Sequence, residues 1–144
     1  LRGEVVQCHM ADDVYSRASA RIKNLVGIEY EARLCAALHA LAVPFLTEQQ
    51  LRALGYPRTP DVLLQVPLAI DGHVCMWLDS KASFGDEYSF TQAHEQLRAY
   101  CHRYGPGAVI YWFGFVQELR ERDTSVLLLP HWPSAERIQL LSLQ

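Results

Sequence analysis

The chain has 144 residues, half of them apolar, and a net charge of -3 at pH 7. That length and composition suit one domain with a sizeable core, and the acidic balance excludes binding nucleic acid through bulk charge, because such affinity comes mainly from neutralised phosphates. The longest apolar runs, residues 108–113 and 126–130, fall far short of the roughly 20 residues that cross a bilayer, so a soluble domain is expected.

Residues 1–144 are read as a single domain. Leu1 is not followed by a charged leader and an apolar stretch, which suggests a C-terminal or processed piece of a longer chain rather than a secreted precursor. Cys8, Cys35, Cys75 and Cys101 are widely spaced, with no C-x-x-C, and free thiols in a reducing compartment fit them best. Cys8-His9 and Cys101-His102 lack the gap of roughly two to four residues usual in zinc ligand pairs.

Residues 14–42 contain no proline and one glycine, Gly27, and carry Ile28, Leu34, Cys35, Leu38, Leu41 and Ala42 at helical spacing. This predicts a helix closed by Pro44, with Gly27 the place for a break. At about 100° per residue, Glu31 falls inside the apolar stripe, whereas Glu29 and Arg33 fall opposite it. A carboxylate facing a core must be paired or coordinated, which singles out Glu31.

A short strand is predicted over residues 45–51, a loop over 55–60 and a strand over 61–70. Asp71-Gly72 then makes a tight turn into an antiparallel partner over 73–82. On that partner His73, Cys75, Trp77, Asp79 and Lys81 share one face. A plain two-residue hairpin would set Ile70 opposite His73 and Asp61 opposite Ala82, turning Asp61 away from Asp79 and Lys81. Pro67 disfavours an unbroken ladder, so a one-residue shift is expected, through a bulge near Pro67 or a longer hairpin loop.

Ser89-Phe90-Thr91-Gln92 has capping-box spacing and opens a predicted helix over residues 89–104, with Ala93, Leu97, Tyr100, Cys101 and Tyr104 buried and Gly105 as its stop. Gln92, Gln96 and Arg103 flank that stripe, while His94 and His102 are assigned to the surface. Residues 108–116 and 125–129 predict strands, and a helix is expected from Ser134. Trp77, Trp112 and Trp132 are assigned to core and edges.

Hydrolysis of a phosphodiester requires charge to be stabilised on the equatorial, attacking and leaving oxygens, and carboxylates holding one or two Mg²⁺ ions achieve this. Glu31, Asp61 and Asp79 could form such a set. Their mutual repulsion would raise at least one pKa until a cation arrives. Lys81, two residues after Asp79, could orient the attacking water and offset charge in the transition state.

Pro60-Asp61 followed by Asp79-Ser80-Lys81 resembles the PD-(D/E)xK signature of the restriction-endonuclease-like nucleases, and the order of elements resembles their α-β-β-β-α-β core. The fold class this implies is α/β, a central mixed sheet flanked by helices. Gly27-Ile28-Glu29-Tyr30-Glu31 resembles the first-helix motif of archaeal Holliday-junction resolvases, and Gln96-Leu97-Arg98-Ala99-Tyr100 is similar to the Gln-hydrophobic-x-x-Tyr motif of RecB-like and phage exonucleases. With Thr59-Pro60-Asp61, the chain resembles the TPD-motif nuclease family over residues 27–116.

That resemblance implies that Glu31, Asp61, Asp79 and the backbone carbonyl of Ser80 ligate Mg²⁺ or Mn²⁺. It gives Lys81 the catalytic lysine role and sets Gln96 and Tyr100 beside the site to position substrate. Asp79 stands where many members carry Glu, which shortens the ligand arm by a methylene. DNA as substrate, codanin as protein partner and a nuclear setting, with the cytoplasm second, are further implications of the resemblance.

Blander accounts compete. Asp61 could simply open a strand, Asp79 and Lys81 could form a solvated ion pair worth little, and Glu31 could pair with Lys81 or Arg98. Arg58, next to the Thr-Pro-Asp string and a candidate for substrate positioning, joins Arg98, Arg103, Arg17, Arg21 and Lys23 as local positive charge. These are too few for tight binding to nucleic acid on their own. The leading expectation is a metal-dependent DNA nuclease. A catalytically weak module of the same fold that binds codanin is the alternative, and a small-molecule phosphohydrolase a third.

Overall fold

In a computed structural model the chain is described over residues 2–141, with side chains from residue 13 onward. The elements run α1 (Arg2–Ala40), β1 (Phe45–Thr47), α2 (Glu48–Ala53), β2 (Val62–Ile70), β3 (His73–Lys81), α3 (Glu87–Tyr104), β4 (Gly107–Tyr111), β5 (Val126–Leu129) and β6 (Ile138–Leu140). The six strands form one mixed sheet in the order β1-β2-β3-β4-β5, with β6 on β2. Pairs β1–β2, β2–β3 and β2–β6 are antiparallel, whereas β3–β4 and β4–β5 are parallel. This is the expected α/β architecture, consistent with a restriction-endonuclease-like core. Among the described residues no helix is long and apolar enough to cross a membrane.

The sheet has a core on each face. Leu34 and Leu38 of α1 pack with Leu68, Ile70, Leu78 and Ile110 on one side, and Leu97 and Tyr100 of α3 pack with Trp77, Val109, Tyr111 and Leu128 on the other. Burying each such side chain contributes about 1.5–3 kcal/mol. Helix α1 runs unbroken through Gly27, because one helical glycine costs only about 1 kcal/mol relative to alanine. Its apolar stripe is buried at Leu34 and Leu38, while Ile28 is exposed and Ala42 has left the helix with a φ of 56°.

The hairpin turn is as expected, with φ of 50° at Asp71 and 81° at Gly72, the pattern of a type I′ turn. Arg137 grips the Asp71 carboxylate at 2.9 Å and so ties the turn to the chain ahead of β6. The ladder begins in register at Ile70↔His73, Ala69↔Val74 and Leu68↔Cys75, then resumes at Leu63↔Trp77 and Val62↔Leu78. Four residues of β2, 64–67, therefore face only Met76 of β3, an excess of three rather than one. An odd excess reverses which face each later residue occupies, which is the consequence the sequence reading required. The outer edge of β2 changes partner across the same bulge, from β1 at residues 62–64 to β6 at 68–70.

Four expectations are corrected. The strand foreseen over residues 45–51 stops at Thr47, whose hydroxyl accepts from the Gln50 N–H and converts the rest into α2. Helix α3 begins earlier than Ser89, because Asp86 is its cap and Ser89 the reciprocal partner. The strand over 108–116 ends at Tyr111, where Gly114, with a φ of 90°, turns the chain. In place of a helix from Ser134 there is a single 3₁₀ turn leading into β6.

Gly105 stops α3 as predicted, with a φ of 99°. Two residues on, Gly107 lies flat under the Trp77 indole, where a β-carbon would stand 2.2 Å from the ring. Cys35, Cys75 and Cys101 are free thiols. The side chains of Cys8 and His9 lie outside the described residues.

Candidate active site

The bulge in β2 decides the geometry of the acids. Continuing the Val62↔Leu78 register by one residue sets Asp61 opposite Asp79. The Asp61 N–H donates to Asp79 Oδ1 at 3.2 Å, and the Ser80 N–H donates to Asp61 Oδ2 at 2.8 Å. Lys81 Nζ lies 3.3 Å from Asp79 Oδ2. Asp79 is only 4% exposed, so this ion pair is not the solvated strand contact of the bland account. One residue further along the register Pro60 faces Ser80 and has no N–H to offer, which leaves the Ser80 carbonyl without a ladder donor from that strand. The Ser80 hydroxyl points to the α1 face and accepts from Trp112 Nε1 at 2.9 Å.

Glu31, Glu48 and Asp61 line one cavity of about 260 Å³, walled by Leu34, Cys35 and Val62. Glu31 does not face the core as its place in the stripe suggested. It stands exposed at the rim of that cavity. Burial, then Glu48 and Asp79, raise its carboxyl above the usual range, with Lys81 opposing them. Burial and then Asp79 push Asp61 up to about 9, against the Ser80 N–H that favours its anion. Glu48 escaped sequence reasoning because its segment was assigned to a strand. The signal that could have found it is the Thr47-x-x-Gln50 capping box.

A hard cation would find oxygen donors here and would offset the mutual repulsion that helps raise the Glu31 and Asp61 carboxyls above their ordinary range. The Ser80 carbonyl adds a neutral ligand of the same kind, and the set suits Mg²⁺ or Mn²⁺ in chemistry. As they stand, no group of three His, Cys, Asp or Glu side chains among the described residues is close enough to hold an ion. Asp61 and Asp79 are together, and Glu31 stands apart from them on the rim of the cavity it shares with Asp61.

The residues foreseen for substrate positioning divide. Tyr100 is buried, and its hydroxyl donates to the Thr59 carbonyl at 3.0 Å, which fastens the Thr-Pro-Asp loop to α3. Gln96, one helical turn earlier, is exposed and does not touch the acids. It shares a recess with Arg58, Gln92 and Glu95. Arg58 holds a φ of 48°, an uncommon conformation for a non-glycine residue. The Arg103 guanidinium lies over the Tyr56 ring at 5.6 Å. Arg98 lines a separate recess with Cys101, His102, Asp123 and Ser125, away from Glu31. His94 is half-buried against Asp123 at 3.3 Å rather than free on the surface.

Architecture and site together define an α/β domain of restriction-endonuclease-like build, in which a half-buried aspartate meets a buried one beside a lysine. Residues 1–131 match a family model described as a protein of unknown function with a TPD sequence motif, and the chain belongs to that family. Among curated proteins it is similar to the CDAN1-interacting nuclease 1 of Homo sapiens, with 46% identity over 93% of this chain and 48% of the relative. The protein of that name from Danio rerio is 45% identical over 93% of this chain and 45% of its own length, and that from Xenopus tropicalis 49% identical over 94% and 45%. The chain thus spans about half the length of the curated relatives it matches. No solved structure matches it.

Proposed function

We propose that the domain is a metal-dependent nuclease that hydrolyses DNA phosphodiester bonds. The observation that supports this most strongly is the meeting of Asp61 and Asp79 with Lys81 across a three-residue bulge. A ladder built for stability alone has no reason to set two carboxylates side by side. Glu31, Asp61, Asp79 and the Ser80 carbonyl would hold Mg²⁺ or Mn²⁺, which when bound supplies charge stabilisation at the phosphoryl oxygens and a more acidic water.

The chain's own residues do the rest. Asp79 fixes the Lys81 ammonium, which orients the attacking water and offsets negative charge as it develops. The proton on Asp61 must leave before that carboxylate can act as an anion, so the free site is held in check near neutral pH. The Tyr100–Thr59 bond keeps the loop carrying Asp61 in place. The test is cleavage of end-labelled DNA in Mg²⁺ or Mn²⁺ by wild type and by Asp61→Ala. Wild type should cut and the variant should not, whereas a wild type that cuts no form of DNA with either metal overturns the proposal.

A second reading, a module that binds codanin, draws on the relatives' printed name and on one feature of α1. Ahead of its packed portion the helix carries Val14, Ile22 and Leu25 between 61% and 66% exposed. The two readings are compatible, and both suit a nuclear protein. Ile22→Asp with Leu25→Asp should abolish co-precipitation of codanin while leaving DNA cleavage intact. Retained capture by that double variant would remove the helix from this role.

A further inference from the structure

We infer that the DNA substrate carries unpaired nucleotides beside the cut, and that the recess formed by Arg58, Gln92, Glu95 and Gln96 receives one of its bases. The inference rests on the nuclease reading and narrows it to a class of substrate.

The recess has a volume of about 300 Å³ and is lined by none of the acids. It is joined to them by two short links. Arg58 is three residues from Asp61 on the same loop, and Gln96 is one turn from Tyr100, whose hydroxyl holds Thr59. Four helical residues advance about 6 Å along the axis, so the recess connects to the segment that carries Asp61 through one helical turn and one hydrogen bond.

Its lining is wrong for a phosphate. The positive charge of Arg58 is offset by Glu95, and a carboxylate repels a phosphate oxygen as strongly as a guanidinium attracts it at the same distance. What remains is a neutral pocket with donors and acceptors from two carboxamides, a guanidinium and a carboxylate. Those are the groups that match base edges: Arg with guanine O6 and N7, Gln with adenine N6 and N7, and Glu with the cytosine amino group. In an intact duplex these edges lie on the floor of the major groove and each base is held in the stack, so only an unpaired base can enter a recess in the protein surface.

A second feature is aromatic. Phe84 and Phe113 are each 50% exposed just beyond the ends of β3 and β4. Phe113 meets the Tyr30 ring edge-on at 5.5 Å, and Tyr30 is the immediate neighbour of Glu31. The Phe113 N–H donates to the Ser83 carbonyl at 3.3 Å, which holds this aromatic edge against the segment that follows Lys81. Exposed aromatic rings beside a nucleic-acid site are stacking platforms for splayed bases. A base recess linked to the loop that carries Asp61, and an aromatic edge linked to the segment after Lys81 and to the neighbour of Glu31, suit a strand leaving a duplex better than a continuous double helix.

The test measures binding separately from cleavage. Fluorescence anisotropy with full-length Asp61→Asn protein in Mg²⁺ compares fluorescein-labelled single-stranded, splayed-arm and blunt duplex DNA of one length. The unpaired forms should bind roughly fivefold or more tightly than the duplex, the effect of about 1 kcal/mol from a single seated base. Adding Arg58→Asn, which tolerates the left-handed backbone, or Gln96→Ala should reduce that preference to less than about twofold with an unchanged thermal melt. Equal losses on duplex and unpaired DNA would mark these residues as phosphate contacts and overturn the inference, as would binding to no DNA at all. Cleavage of blunt duplex and unpaired DNA at equal rates by wild type would leave a nuclease and sink the base recess. A preference for unpaired DNA with no cleavage by wild type would support the recess and sink the nuclease.

Discussion

Asp61→Asn should make the metal-free protein more stable while abolishing its activity. The Asp61 carboxyl is pushed up to about 9, first by burial and then by Asp79. In the unfolded chain the same group titrates near 3.9. A folded pKa raised above its unfolded value means that the folded state holds the proton more tightly. Stability from this group is therefore fully present below about pH 4 and is lost as pH rises toward about 9. Each unit of that window is worth about 1.4 kcal/mol at most. Asp61 is only half-buried, so water reaching it leaves about 1–3 kcal/mol by pH 7.

Asparagine removes this loss without removing the contacts. Its carbonyl still accepts from the Ser80 N–H, and its amide can donate to Asp79 at every pH, where the wild-type carboxyl does so only while protonated. Urea denaturation at pH 5, 7 and 8.5 in chelator should show the variant's advantage growing with pH, and other titrating groups cancel in the difference. Added Mg²⁺ should then raise the stability of wild type by mass action, and that of the variant far less. A variant about 1 kcal/mol less stable than wild type at pH 7, or an advantage that does not grow with pH, would refute the account of the acid pair.

Lys81→Met should lower single-turnover cleavage by about 10²–10³ at saturating DNA, with little change in affinity, if the ammonium acts in the transition state. Tyr100→Phe removes the bond to the Thr59 carbonyl and should cost about 1 kcal/mol in denaturant stability; cleavage should fall further than the lost stability explains, because the loop carrying Asp61 is released. Gly107→Ala drives a methyl into the Trp77 ring and should destabilise by about 3 kcal/mol, with a changed tryptophan emission. Glu48→Gln should lower the Glu31 pKa by removing one of the charges that raise it, measurable by carboxyl NMR titration without metal.

Much of the machinery was legible in the chain. The order of apolar segments, the Asp71-Gly72 turn and the Gly105 stop follow from local backbone chemistry, where each residue's own φ preference or missing β-carbon decides the outcome. The likelihood that Asp61 and Asp79 meet was legible only as a condition: Pro67 called for an irregularity, and only an odd shift would serve. Its size was not, because the three-residue excess coincides with an exchange of β1 for β6 along the outer edge of β2, a pairing that exists only once the sheet assembles. The same holds for Glu31. Helical spacing fixed its direction around α1, but whether that direction meets core or cavity rim depends on the elements that pack around it in the folded domain. Spacing reports the side of an element a residue occupies, and burial is decided by what packs against that side.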